Sequence, residues 1–117
     1  MAEQGPHYSS QTKARKAALD ILFMAEQREA SVSETFAEQR TRAGTTVRPL
    51  TTDIVLGVAE HQQEIDQRIA ESTSMNWPLE RMPSVDRNLA RLAIYELDYT
   101  DTPPAAVNSE ADRLAGD

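Results

Sequence analysis

The chain has 117 residues, a net charge of −7 and no cysteine, which favours one domain and excludes a disulfide framework or a thiolate metal site. No apolar run reaches membrane-spanning length and residues 1–10 lack the apolar stretch of a signal peptide, so we expect a cytoplasmic protein that makes no membrane contact. Residues 1–48 contain seven Lys or Arg against six Asp or Glu, whereas residues 49–117 contain five against thirteen. Contacts to RNA or DNA are therefore expected from the N-terminal part. The acidic remainder either suits a basic protein partner or only maintains solubility.

The predicted elements are all helices joined by short loops. No segment alternates apolar and polar residues with a period of two, and aromatic residues make up only 5% of the chain. We predict an all-α fold with a disordered tail over residues 1–9 and one helical domain over residues 10–117.

The first predicted helix covers residues 10–28, with Ser9 or Ser10 as its N-cap. Its apolar residues follow the helical period and form one stripe: Ala14, Ala17, Ala18, Ile21, Leu22 and Ala25. Cations stand near its start, where they oppose the helix dipole. Because departures from a local rule tend to mark function, this start is a candidate binding site.

The next two helices are predicted at about 32–43 and about 50–72. Ser31 and Glu34 have the spacing of a capping box at the start of the earlier one. Gly57 lies inside the later one, where glycine costs about 1 kcal/mol relative to alanine. A glycine retained there indicates that a neighbouring helix approaches closely.

The last part of the chain contains a short turn at about 77–82, a helix at about 84–98 capped by Ser84, and a final helix at about 104–115. Trp77 is interpreted as a core residue beneath the turn. The helix at 84–98 is apolar on almost every side and is predicted to be the central, buried one.

Four charged residues interrupt the apolar helix at 84–98, and charges at the edge of a buried helix need partners. They are Asp86, Arg87, Arg91 and Glu96. We predict that Arg87 and Arg91 are structural and pair with acidic neighbours.

Residues 85–97, Val-Asp-Arg-Asn-Leu-Ala-Arg-Leu-Ala-Ile-Tyr-Glu-Leu, closely resemble the signature helix of the NusB family of bacterial transcription antitermination factors. The preceding residues 77–82 resemble the family's Trp-x-Leu-x-Arg turn. Weaker similarities occur in the family's order at residues 15–23, 53–58 and 102–115. The resemblance covers roughly residues 13–115.

The resemblance implies an all-helical fold of two packed bundles and no enzymatic activity or cofactor. Proteins of this family bind the boxA element of ribosomal RNA leader transcripts as a heterodimer with NusE, a small-subunit ribosomal protein. The heterodimer joins the RNA polymerase antitermination complex.

Two features depart from the family pattern. The arm before the first helix, residues 9–16, has three cations where relatives are arginine-rich, and fewer phosphate contacts weaken binding and its salt dependence. The family continues past Asp117 with a Phe-Val-Asn-Gly segment and another helix. We therefore expect a C-terminally shortened NusB-like bundle of about five to six helices that lacks the family's last helix.

The resemblance assigns roles to five residues. Lys13, Arg15 and Lys16 are the expected RNA contacts, the alternative being ordinary solvated charges on a helix surface. Phe23 and Asp86 correspond to positions that face NusE in the family. Their alternatives are a core phenylalanine and a carboxylate favoured by the helix dipole.

Two other functions stay open at this stage. One is a protein-interaction remnant with weak or no RNA binding, which binds NusE or self-associates as a homodimer. The other is a stand-alone regulatory domain of a ribosomal RNA cytosine methyltransferase, since the same module occurs in such enzymes. We expect no metal site, because His61 has no second ligand near it.

Overall fold

In a computed structural model, the described residues 9–42, 44, 46–72 and 79–116 form five α-helices and one short 3-10 helix, without a strand. The helices are α1 (Ser10–Gln27), α2 (Val32–Arg40), α3 (Pro49–Ser72), α4 (Ser84–Tyr99) and α5 (Pro104–Ala115), and the 3-10 helix is Leu79–Arg81. The prediction of an all-α bundle is confirmed. Residues 1–8 of the tail predicted at 1–9, and Trp77 with its predicted core position, lie outside the described residues.

The core forms around α3, which packs against α1, α2 and α4, while α5 packs on α4. Four apolar side chains of α3 have no exposed surface at all: Ile54, Val55, Val58 and Ile65. The prediction that residues 84–98 form the central, buried helix is therefore wrong, since α3 takes that place. Two of the four buried side chains of α4 are polar, Asn88 and Glu96, and Val85 at its start is 45% exposed.

Side-chain caps set the starts of α1 and α2 as the sequence predicts. The Ser9 hydroxyl oxygen accepts a hydrogen bond from the Thr12 backbone N–H at 3.1 Å. The Ser31 hydroxyl oxygen accepts one from the Glu34 backbone N–H at 3.0 Å. Each bond satisfies a backbone donor that the first helical turn leaves unpaired.

The predicted cap at Ser84 is wrong, because Pro83 occupies the N-cap position of α4. Proline fixes φ at −55° and the extended ψ of 146° lets the helix begin without a side-chain acceptor. Ser84 is instead the first helical residue, and its backbone carbonyl accepts a hydrogen bond from the side-chain Nδ2 of Asn88 at 2.9 Å. Asp86 in the first turn places negative charge where the helix dipole favours it.

The predicted close approach at Gly57 is confirmed. A Cβ at this position would lie 2.2 Å from Cζ of Tyr95, so the absence of a side chain admits the Tyr95 ring. The Tyr95 hydroxyl donates a hydrogen bond to Asp53 at 3.0 Å, and its ring stacks on Tyr99. Tyr99 in turn stacks on His61, where α3 is kinked, with 4.2 Å between ring centroids.

Candidate nucleic-acid and partner interface

The three cations predicted to contact RNA lie in the first two turns of α1 but face different directions. Successive residues of a helix are rotated by about 100°, since one turn takes 3.6 residues. Lys13 is exposed and forms no ion pair with another described residue. Lys16 has a 47% exposed side chain and lies 3.5 Å from Asp20, an exposed pair that leaves it accessible.

Arg15 does not fit the prediction, because its side chain is buried inside the bundle. Its guanidinium donates two hydrogen bonds to Glu96, from Nε at 2.7 Å and from Nη2 at 2.8 Å. Nη1 lies 3.2 Å from Glu110. Arg15 is only 6% exposed and Glu96 only 1%. A phosphate would have to displace these carboxylates, so we correct the assignment of Arg15 from RNA contact to structural ion pair.

The carboxylates around Arg15 join three helices. The bond to Glu96 is the largest of the effects that raise the pKa of Arg15, and it outweighs the opposing effect of burial. Glu110 accepts a hydrogen bond from the Thr12 hydroxyl at 3.0 Å, and Glu96 accepts one from the Thr102 hydroxyl at 3.1 Å. Because every charged group in this cluster has a partner, the cluster holds α1, α4 and α5 together.

Phe23 and Asp86, the predicted partner contacts, are both accessible from solvent. Phe23 is half-buried on α1, at the border of its buried stripe. Asp86 is exposed in the first turn of α4 and forms no hydrogen bond or ion pair with another described residue. Their exposure is compatible with a partner interface, and the assignment stays a prediction.

Arg87 and Arg91 are structural, as the sequence predicts. Arg91 donates two hydrogen bonds to Asp66 of α3, from Nε at 2.8 Å and from Nη2 at 3.0 Å. Arg87 pairs with Glu26 of α1 and donates to the Met82 carbonyl at 2.7 Å. Burial, and secondarily the nearby charge of Arg91, lowers the pKa of Arg87. These contacts hold α4 between its neighbours and engage both guanidinium groups.

Six cations make no ion pair with any residue that the structure describes. They are Lys13, Arg40, Arg42, Arg48, Arg81 and Arg113. The first four belong to the part of the chain that runs from α1 to the residue before α3. The sequence reasoning did not single out Arg40, Arg42 or Arg48. The positive balance of residues 1–48 was the signal that could have indicated them.

The described residues contain neither a metal site nor a membrane-spanning helix. No group of three potential metal ligands occurs among them, and His61 is engaged in its stack on Tyr99. No helix in the described ranges is both long and apolar enough to cross a membrane.

Comparisons with known proteins give a consistent result. The sequence model of the NusB family matches residues 12–117. A transcription antitermination protein NusB from Acidothermus cellulolyticus is 50% identical over 109 residues, which are 92% of this chain and 74% of the relative. One of the same name from Pseudarthrobacter chlorophenolicus is 47% identical over 108 residues, covering 92% and 79%. Another, from a Nocardioides species, is 41% identical over 110 residues, covering 93% and 81%. Their shared name is that of a transcription factor and not of an enzyme.

Proposed function

Because the chain belongs to the NusB family, we propose that it is a transcription antitermination factor that binds boxA-type RNA of ribosomal RNA leader transcripts together with NusE. This is a binding function without a catalytic step, exercised in the cytoplasm within the RNA polymerase antitermination complex. The observation that carries the RNA part is the distribution of unpaired cations. In a chain of net charge −7, six cations form no ion pair with a described residue, and four of these six lie between residues 13 and 48.

Lys13 and Lys16 are the RNA contacts of this proposal. Both are exposed on the first turns of α1, and neither is needed for packing. Phosphate contacts from such lysines supply affinity and position the strand, but they do not read its sequence. The NusE contacts of this proposal are Phe23 and Asp86, whose exposed surfaces are available to a partner. Asp86 suits a basic protein such as one that binds ribosomal RNA.

A second function is favoured by one observation, the burial of Arg15. Because Arg15 is buried in an ion pair, only Lys13 and Lys16 of the three predicted cations on α1 can contact phosphate. Binding to RNA without NusE is then weak, and the protein-interaction function remains the competing proposal. A homodimer and a regulatory domain of a methyltransferase have no comparable support.

A gel-shift titration with wild-type protein separates these functions. Labelled boxA RNA and a shuffled RNA of the same composition are titrated with the protein alone, with NusE alone and with both. We expect both proteins together to retard boxA RNA at lower concentration than either alone, with weaker binding of the shuffled RNA. Formation of a protein complex with no gain in RNA binding would favour the protein-interaction function.

A further inference from the structure

A groove runs beside α1 where the loop that precedes α3 returns to it. We call it the α1–α2 groove. Its apolar floor consists of Ile21 and Met24 of α1 together with Val47 of the loop, and Gln39 and Arg48 stand on its rim. The groove has a volume of about 270 Å³ and lies away from the buried cluster of Arg15.

Arg48 is exposed and makes no ion pair with a described residue, so its charge is available to a ligand. It lines the groove and also an adjoining recess formed by Ser10 and Ala14 of α1. Lys13 lies three residues after Ser10 and four residues before Ala17, which lines the groove itself. Residues three and four apart are neighbours on a helix surface, so Lys13 and Arg48 occupy the same side of α1.

The loop that carries Arg48 is fixed at its end. Thr51, in the first turn of α3, donates a buried hydrogen bond to the Ala14 carbonyl at 2.8 Å. This bond holds the start of α3 against α1 immediately after Arg48. A rim that is already in place loses less conformational entropy when a ligand binds.

The rim also offers an amide with unused hydrogen-bonding capacity. Among the described residues, the side-chain amide of Gln39 donates only to the sulfur of Met24, at 3.4 Å, which is a weak acceptor. Its side-chain carbonyl oxygen has no hydrogen-bond partner among these residues. A primary amide presents a donor and an acceptor side by side, which is the pattern on the edge of a nucleobase. The apolar floor, with the polarisable thioether of Met24, matches the face of a base.

We propose that the α1–α2 groove binds one unstacked base of single-stranded RNA while Lys13 and Arg48 bind the adjoining phosphates. This inference rests on the proposed function, since it names where the RNA lies on the protein. Recognition of single-stranded RNA uses bases turned away from the stack and placed on protein surfaces, with cations along the backbone. Asp20 is the one carboxylate among the residues that line the groove, and the Lys16 ammonium, 3.5 Å away, offsets part of its negative charge.

The charge part of the proposal is tested by fluorescence anisotropy with a labelled boxA RNA in the presence of NusE. Arg48→Ala is compared with Arg113→Ala, which removes from α5 an arginine that is also exposed and forms no ion pair with a described residue. We expect Arg48→Ala to weaken binding roughly 3- to 10-fold at moderate salt and to lower the salt slope by about 0.7. Arg113→Ala should change neither quantity.

The groove itself is tested by variants that keep the charge. Ala17→Leu places three additional carbons at the groove. It should weaken binding roughly tenfold, because the base can no longer stack there, and leave the salt slope unchanged, because the phosphate contacts remain. Gln39→Ala is the second variant, since it removes the rim amide without replacing a residue of α1, and it should also weaken binding with an unchanged salt slope. Thermal unfolding by circular dichroism verifies that each variant is folded before its affinity is compared.

The outcomes separate this inference from the proposed function. If wild-type protein with NusE does not bind boxA RNA, the proposed function fails and this inference fails with it. If wild-type protein binds and the Arg48, Ala17 and Gln39 variants behave like Arg113→Ala, only the inference is overturned. If Ala17→Leu weakens binding of NusE and leaves RNA binding of the preformed complex unchanged, the groove belongs to the protein partner and the inference is again overturned.

Discussion

Replacing Arg15 by methionine should destabilise the protein strongly, because it leaves a carboxylate buried without its cation. Glu96 is 1% exposed and would retain only the hydrogen bond from the Thr102 hydroxyl. Glu110 would also lose its ion pair with the guanidinium, which now lies 3.2 Å away. Breaking one side of a buried ion pair costs about 3–5 kcal/mol. That is a large part of the roughly 5–15 kcal/mol by which a domain of this size is stable.

Urea unfolding followed by circular dichroism measures the free energy of unfolding of each variant. Arg28→Met is the matched control, since its partner Glu38 and Arg28 itself have side chains that are 60% and 49% exposed, and such a pair contributes about 0–1 kcal/mol. The double variant Arg15→Met/Glu96→Leu replaces the whole buried pair by apolar groups. It should be more stable than either single variant.

Two results would refute this reasoning. One is a loss of stability for Arg15→Met no larger than that of Arg28→Met. The other is a double variant whose loss equals the sum of the two single losses, since that would show that Arg15 and Glu96 do not interact.

Three further predictions concern other parts of the molecule. Gly57→Ala should destabilise by about 1–3 kcal/mol in urea unfolding, although alanine favours helices, because its Cβ would overlap the Tyr95 ring. Gly116→Ala should not, because its Cβ would meet only the Asp112 and Arg113 carbonyl oxygens, at ordinary contact distances of 3.5 and 3.7 Å. Burial first, and a hydrogen bond to a carboxylate second, raises the pKa of Tyr95 from 10.0 to about 12. Between pH 10 and 12 the unfolded state loses this proton while the folded state keeps it, so the free energy of unfolding falls over that range. Tyr95→Phe should abolish that loss of about 2–3 kcal/mol, and an unchanged alkaline profile would contradict the assignment. Phe23→Ala and Asp86→Lys should each weaken NusE binding at least tenfold in a calorimetric titration with little change in the melting temperature, and wild-type affinity would refute their role.

Features that depend on a few neighbouring residues could be predicted from the sequence. The caps at Ser9 and Ser31 follow from side-chain oxygens placed just before a helical period, and the structure has both. Gly57 was informative because glycine destabilises a helix interior, so its presence there indicates a close neighbour, which is the ring of Tyr95. Ser84 misled because serine is a good cap, whereas Pro83 already supplies the extended backbone that starts the helix.

Features that depend on distant residues could not be predicted in the same way. Arg15 has the local setting of a surface cation, and its partner Glu96 is 81 residues away. Glu96 was the residue that indicated this ion pair, since a carboxylate among the apolar residues of α4 needs a cation as its partner. Arg48 stands in a loop without any periodic pattern, and only the folded chain places it beside α1. The cations proposed to contact RNA therefore change from three on one helix to Lys13, Lys16 and Arg48 on two segments.

The central claim is that this chain binds boxA RNA through the cations of its N-terminal part. The most direct test is a salt series of RNA affinity, in the presence of NusE, for wild-type protein and two double variants. Lys13→Ala/Lys16→Ala and Arg81→Ala/Arg113→Ala each remove two exposed cations and the same net charge. The account predicts that the first variant lowers the salt slope by about 1.4, or 0.7 for each phosphate contact of a single strand, and that the second leaves it unchanged. Equal slopes for both variants, or no binding of boxA RNA by the wild-type protein, would contradict it.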